Sequence, residues 1–364
     1  MTMAQDNKEW LLSLRSKIDG IDADIQSLIS QRANIANDVA QSKSKADVGG
    51  VYYRPEREAQ VLRAVKERND GPLQDETLVR LFREIMSACL AQQKPLNIAF
   101  LGPEGTFSEM ATYKFFGHSV KAMPEASIDQ VFAEVEAGVA DFGVVPVENS
   151  TEGAVNNTLD MFLSSPLKIC GELDLPIHHH LMSQCKSLSD VKVVYSHRQS
   201  LAQCRAWLKN NAPHVETVAV SSNAAAARKA SYSEHAAAIA GESAAAMYGL
   251  DILHSEIEDR ADNATRFLMI GKQVLASSGQ DKTSLMVSAA DEAGVLFHLL
   301  KPLNDCGVSM SRIESRPSKQ GRWDYVFFID LVGHVEDENI AQAMRQMERF
   351  TKHLKVLGSY PQSV

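Results

Sequence analysis

Residues 28–36 read LISQRANIA, and the reading of this stretch decides the first third of the fold. Upstream of it, Leu11, Leu14, Ile18, Ile21, Ile25 and Leu28 recur at alternating spacings of three and four, and Ile35 and Val39 continue the row. That period is one apolar seam along an α-helix, and the next seam position after Leu28 is Arg32. An unpaired guanidinium among aliphatic neighbours is costly, so the seam predicts an anionic partner for Arg32. The pattern predicts one long helix over residues 8–45. Two shorter helices cannot cover such a seam, so an intertwined homodimer, or a higher homo-oligomer, is expected.

Outward from this helix, ADVGGVYYR breaks it with two glycines. PEREAQVLRAVKERN starts a second helix with Pro55 in its first turn, where a missing N–H is tolerated. DGPLQ stops that helix, and a third follows over residues 75–93. At QQKPLNIAFLG the texture changes. The strands NIAFLG, DFGVVPV, VKVVYS, ETVAV, HAAAIA and RFLMIG alternate with helical patterns such as SLAQCRAWLKNN, which predicts an α/β region with a largely parallel sheet. QVLASSGQDK reads as a linker. TSLMVSA, EAGVLFHLLKPLNDCG, a hairpin of VSMSRIESRP and DYVFFIDLVGH around SKQGRW, ENIAQAMRQMERFTKHL and KVLGSYP then give the order βαββαβ. That order is an α+β, ferredoxin-like layer. The expected domains are residues 1–94, 96–272 and 283–364.

A chain of 364 residues fits two or three domains. It is 45% hydrophobic and 23% charged, without a low-complexity tract, as expected of a globular protein. No apolar run approaches the ~20 residues of a membrane span, so no membrane association is expected. MTMAQDNKEW lacks the order of a signal peptide, and the five scattered cysteines never form C-x-x-C. A cytoplasmic protein with reduced thiols is expected. The net charge is −9, and residues 1–94 carry equal numbers of acidic and basic side chains. An acidic chain is a poor nucleic-acid binder, and anionic small molecules would have to be held by local arginines.

Arg15, Arg32 and Lys43 are spaced to lie on nearly the same helix face; Arg57 and Glu58 begin the second helix and Gln93 ends the third. Several cations with one carboxylate and one amide would suit a small dicarboxylate carrying a hydroxyl. The alternative is a set of surface charges with Arg32 snorkelling outward. In the α/β region, FLGPEGTFSEMA joins a strand to a helix but lacks the G-x-G-x-x-G of a dinucleotide site, so no cofactor is expected. VVPVENSTEGAV puts Glu148, Asn149 and Ser150 at the carboxyl end of a strand, where α/β sheets usually bind ligands. An N-cap is the plainer role for Ser150 or Thr151. Ser196, His197 and Gln203 in VVYSHRQSLAQC, and Ser221, Ser222 and Asn223 in VSSNAAAA, repeat the arrangement and suit an anion. NATRFLMIG places Thr265 and Arg266 at the start of a strand. His178–His180 lie in a strand-like stretch where alternate imidazoles oppose each other, so a crossing strand or hinge, not a metal site, is expected.

LLSLRSKID, LISQRANIANDVAQSK and RPEREAQVL together resemble the all-helical chorismate mutases. That resemblance implies that Arg15, reaching a partner chain, and Arg32 bind the substrate carboxylates. It implies that Lys43 and Gln93 contact the breaking ether oxygen, Glu58 the ring hydroxyl, and Arg57 the carboxylate end. Arg32 would then meet its counter-charge in chorismate. Cys89 and Arg54 depart from some relatives, which have a serine and an acid there. GPEGTFSE, PVENS and TRF resemble prephenate dehydratase, whose two lobes are like a type II periplasmic binding protein with crossing strands. There Thr265 is the implied proton donor, with Glu148, Asn149, Ser196 and Gln203 beside it and Arg266 possible as a structural residue. EAGVLFHLL and SRIESRP resemble the ACT regulatory module. This implies an L-phenylalanine site shaped by Gly294, Val295 and Leu296 with Glu314, Ser315 and Arg316 nearby. GVLF departs from the commoner G-A-L-V of that module.

The order of modules implies an enzyme that turns chorismate into prephenate and prephenate into phenylpyruvate, under feedback by L-phenylalanine. Two alternatives stay open at this point. One is an arogenate dehydratase in the middle domain, and the other is a non-catalytic amino-acid sensor.

Overall fold

The computed structural model describes residues 3–45, 53–151, 153–289, 292–317 and 325–364. The expected break over residues 46–52 and the hairpin turn SKQGRW lie outside the described residues. The first helix, α1 (Met3–Lys45), is followed by α2 (Pro55–Glu67) and α3 (Asp75–Ala91), as the periodicity requires. α2 carries Pro55 in its first turn with Glu56 and Glu58, whose charges suit a helix N-terminus. α2 and α3 pack on each other. α1 stands away from them along most of its length. Ile18 is 56% and Leu28 63% exposed, and the rest of the seam is likewise open within one chain.

The α/β part has two lobes. The first runs through β1 (Asn97–Leu101), α4 (Phe107–Phe116), β2 (Lys121–Glu125), α5 (Ile128–Ala137), β3 (Phe142–Asn149), β4 (Gly153–Ala154), α6 (Asn156–Ser164) and β5 (Lys168–Pro176). The second holds β6 (His180–Ser183), β7 (Val193–His197), α7 (Arg198–Gln203), α8 (Arg205–Asn211), β8 (Glu216–Val220), α9 (Asn223–Ala230), β9 (Ala236–Ala240), α10 (Glu242–Tyr248) and β10 (Asp251–His254). The chain then returns as β11 (Ala264–Gly271), between β3 and β5 of the first sheet. That sheet runs β2-β1-β3-β11-β5 with β4 on β3, and the second runs β10-β6-β9-β7-β8. β11 is antiparallel to both neighbours, so the sheet is mixed and not largely parallel. The two crossings, residues 177–179 and 255–263, join the lobes. His178 and His179 lie in the first crossing and His180 opens β6, which gives the histidine run the hinge position expected of it.

The last part is β12 (Asp281–Ala289), α11 (Val295–Asp305), β13 (Met310–Pro317), β14 (Tyr325–Val332), α12 (Glu338–Met347) and β15 (His353–Pro361). Its antiparallel sheet, β13-β14-β12-β15, is the expected ferredoxin-like layer. One face packs on α11 and α12 through Leu285, Val287, Ile329 and Leu299. The other face joins the core of the first lobe through Met286, Phe328, Leu357 and Tyr360. β15 approaches β5 so closely that a Cβ on Gly358 would stand 2.2 Å from the Ile169 carbonyl oxygen, and only glycine fits. Tyr53 enters the same core against Phe116 and Phe142, with ring centroids 5.4 Å away in each case. Arg63 of α2 donates to the carbonyls of Ser278 and Gln280 in the linker, at 3.2 and 2.8 Å. No helix among the described residues is long and apolar enough to cross a membrane.

Candidate active sites

A cleft of about 360 Å³ opens between the two lobes. Asn149 and Thr265 reach it from the ends of β3 and β11, and Gln203, Ser222 and Asn223 from the second lobe. Helix starts also face it. Thr106 precedes α4, and Ser222 caps α9 by accepting the Ala225 N–H at 3.0 Å. Free N–H groups at such ends favour anions. Gly105 has φ +78, a conformation that L side chains rarely adopt, and a Cβ there would press on Met247 of the opposite lobe at 3.3 Å. Among the described residues, no Asp, Glu, Lys or Arg lines the cleft. Burial lowers the pKa of His179 below the usual imidazole value, so its ring is neutral there.

The polarity of the cleft follows from one backbone group. The Thr151 N–H donates to Asn149 Oδ1 at 3.0 Å, which fixes Asn149 with its Nδ2 turned the other way. That nitrogen donates to Thr265 Oγ1 at 2.9 Å and to Asn263 Oδ1 at 3.1 Å. Asn263 Nδ2 must then donate onward, to Gln203 Oε1 at 3.3 Å. The same oxygen takes His179 Nε2–H at 2.7 Å. Two conclusions follow from the donor inventory. Thr265 accepts from Asn149, which leaves its own proton for the cleft. Gln203 has its oxygen engaged twice, which leaves its Nε2–H groups for the cleft as well. The site presents donors on neutral groups, suited to carboxylates and to an oxygen gaining negative charge.

Three family models match consecutive stretches: "Chorismate mutase type II" over residues 14–94, "Prephenate dehydratase" over 98–274 and "ACT domain" over 283–349. The bifunctional chorismate mutase/prephenate dehydratase of Pseudomonas aeruginosa is 51% identical over 98% of this chain and 99% of its own length. The chain belongs to the bifunctional chorismate mutase/prephenate dehydratase family. A relative of the same description from Stutzerimonas stutzeri is 53% identical, with the same coverage of both chains. Among solved structures, prephenate dehydratase of Arthrobacter aurescens in complex with L-Phe is 35% identical. It aligns with a TM-score of 0.67 over 73% of this chain and 90% of its own.

Within the dehydratase part, several expected ligands lie elsewhere. Glu148 is one residue from Asn149, so strand alternation turns it away from the cleft, and it pairs with Arg312 of the ACT sheet at 2.7 Å. Ser150 acts as a clasp, accepting the Ala264 N–H at 3.0 Å. Ser196 is fully buried beneath the cleft, 2.7 Å from the Ile239 carbonyl and 3.0 Å from Asn223 Oδ1. Asn223 in turn donates to Ser200 Oγ at 2.9 Å, so Ser196 holds a cleft residue and does not line the cleft. Arg266 is structural: it pairs with Glu172 and Asp330 at 2.7 Å each, on the side away from Thr265. Asn263, His179, Thr106 and Ser108 were missed. Asn263 carried a signal, because it stands two residues before Thr265, just ahead of β11, where an extended chain brings every second side chain to the same side.

In the mutase part, Gln93 Nε2 donates to the Ala36 carbonyl of α1 at 2.8 Å, one turn beyond Arg32. The structure brings Arg32 and Gln93 to the same region. Arg32 is half-buried rather than enclosed, and Arg15 is exposed. Lys43 belongs to α1, and its side chain lies outside the described residues. Arg57 is exposed. Glu58 does not join them. It faces a small cavity of about 80 Å³ shared with Tyr53, Arg83 and Lys114, with Arg83 Nε 3.5 Å away. Burial there pushes its carboxyl up to about 7.

In the ACT domain, Gly294 has φ +81 and begins α11, and Leu296 in its first turn is 41% exposed. Alternation along β13 divides the other three residues. Ser315 pairs with Phe327, on the face that packs against α11 and α12. Glu314 and Arg316 lie on the dehydratase face, where Arg316 binds Asp160 at 2.7 Å and the Asn156 carbonyl at 2.8 Å. Arg316 is therefore an interdomain clamp. It is not gathered with Gly294, Val295 and Leu296.

Proposed function

We propose that this chain rearranges chorismate to prephenate in its helical part and converts prephenate to phenylpyruvate in the interlobe cleft, with L-phenylalanine as an inhibitor bound at the ACT domain. The observation that carries the dehydratase reading is the hydroxyl of Thr265, held as an acceptor by Asn149 Nδ2 at 2.9 Å with its own proton left for the cleft. Loss of carbon dioxide sends an electron pair through the ring and expels the ring hydroxyl. Thr265 O–H and Gln203 Nε2–H supply hydrogen bonds to that departing oxygen, and the relay behind them keeps both donors aimed. A threonine is too weak an acid to act by full proton transfer, so two neutral donors share the charge. Helix starts at Thr106 and Ser222 hold the carboxylates.

The lining favours prephenate over arogenate. An amino-bearing substrate would place an ammonium in a cleft whose lining, among the described residues, holds no acidic side chain. Comparing turnover of the two substrates tests this, and faster turnover of arogenate would reverse the assignment.

For the mutase, a Claisen rearrangement needs a compact conformer and donors at the ether oxygen, without acid, base or nucleophile. Arg32, Lys43 and Gln93 would serve one chain's site, with Arg15 of a second copy. The exposed seam of α1 supports such a homodimer, because a row of open aliphatic side chains this long is not left in water. Incubating pure protein with chorismate tests the whole reading. Chorismate should disappear and phenylpyruvate appear. Consumption without phenylpyruvate would remove the dehydratase, and no consumption would leave the sensor.

A further inference from the structure

We propose that Asn263 is a positioning residue of the dehydratase, the amide through which the donors of both lobes are set in one polarity. This rests on the assignment of the cleft to prephenate. Asn263 is 3% exposed and sits where the second crossing meets β11, so it touches both lobes at once. Its Oδ1 accepts from Asn149 Nδ2 at 3.1 Å and from Thr151 Oγ1 at 3.2 Å, on the side of Thr265. Its Nδ2 donates to Gln203 on the other lobe at 3.3 Å. A carboxamide is the side chain that accepts on one side and donates on the other with planar geometry. With the Asn149 end fixed by a backbone N–H, the direction of every later bond depends on Asn263. Reverse its outer half and Gln203 turns its oxygen to the substrate.

Asn263→Asp makes that reversal chemically. As a carboxylate, residue 263 can no longer donate to Gln203 Oε1. The Gln203 amide then rotates to donate to it, and the cleft loses a donor. As a carboxylic acid, its O–H restores the original bond. Among the described residues, the ionisable groups facing this region are His179 through Gln203, His197 in the cleft lining, Glu258 bonded to His178 and to the His179 N–H, and the Asp262–Arg260 pair at the surface. They are present in the parent as well, so the parent's pH profile serves as the reference.

The test is kcat/KM for prephenate between about pH 6 and 9 in the full chain, corrected for the uncatalysed reaction, for the parent, Asn263→Asp and Asn263→Ala. Mutase activity and the melting temperature in the same preparations report folding. Asn263→Asp should lose about 100-fold at high pH, the scale of one lost donor, and recover most of it at low pH. Asn263→Ala should lose activity without recovery. An Asp variant that follows the parent at every pH, or that falls by the same factor at every pH as the Ala variant, overturns the positioning role. A parent that does not turn over prephenate would instead sink the assignment of the cleft.

Discussion

Arg312 and Glu148 form an ion pair at 2.7 Å that joins the ACT sheet to the strand carrying Asn149. Glu148 points to the ACT domain and its neighbour Asn149 to the cleft, where it holds Thr265. β11 repeats the division in register, with Thr265 opposite Asn149 and Arg266 opposite Glu148. Two adjacent strands thus present catalytic candidates on one face and interdomain ion pairs on the other. A ligand that moves β13 would pull on the residue next to Asn149.

Arg312→Gln should therefore uncouple inhibition from binding. The L-phenylalanine concentration for half-inhibition should rise by a factor within the 5- to 150-fold range typical of allosteric coupling. Activity without phenylalanine should stay within about two-fold, because the pair lies outside the cleft. Inhibition curves of parent and variant decide it, and an unshifted midpoint would reduce the pair to simple docking.

Thr265→Ala should cut dehydratase kcat by about 100- to 1,000-fold, the usual effect of removing a donor from a developing oxyanion. Thr265→Ser keeps the hydroxyl and should retain most of the rate. Mutase activity should be unaltered in both, because α1 and the interlobe cleft are separate places in the chain. A Ser variant as slow as the Ala variant would argue against the hydroxyl.

Arg32→Ala should abolish chorismate consumption and leave prephenate turnover within a factor of about two. In the dimer reading, an inactive Arg15→Ala chain mixed with an inactive Arg32→Ala chain should regain mutase activity, since one of the two mixed sites is intact. Failure of that complementation in a proven heterodimer would place Arg15 and Arg32 in sites of the same chain.

Glu58 makes stability fall as pH rises. Its folded pKa lies near 7, above the usual carboxylate value of 4.5, so the folded state binds the proton more tightly than the unfolded state. The stabilisation is complete below about pH 4.5 and is lost as pH climbs toward 7. Glu58→Gln should flatten this part of the profile, read as melting temperature against pH. A variant with the parent's slope would move the effect to another group.

The elements themselves were legible in local pattern. The seam of α1, the βαββαβ order and the cleft strands all follow from periods of 3.6 or 2, which neighbours in sequence encode. What was missed in the site has a common cause. Glu148, Asn149 and Ser150 are adjacent letters, and a motif lists them together. A strand sends adjacent side chains to opposite faces, so Asn149 reaches the cleft while Glu148 reaches the ACT domain. The same alternation separated Ser315 from Glu314 and Arg316. Asn263, two positions from Thr265, was passed over because its importance lies in bonds to residues 60 and 114 positions away.

The amino-acid order alone determined three modules, their succession and the residue types available for anion binding, because helix and strand periodicity are local properties. Tertiary structure decided which of those residues meet. It turned β11 into a strand shared by the cleft and the ACT interface, set Glu58 against Arg83 instead of α1, and gave the amides from His179 to Thr265 one polarity. Hydrogen-bond direction and burial belong to groups brought together across long stretches of chain, and packing alone assigns them.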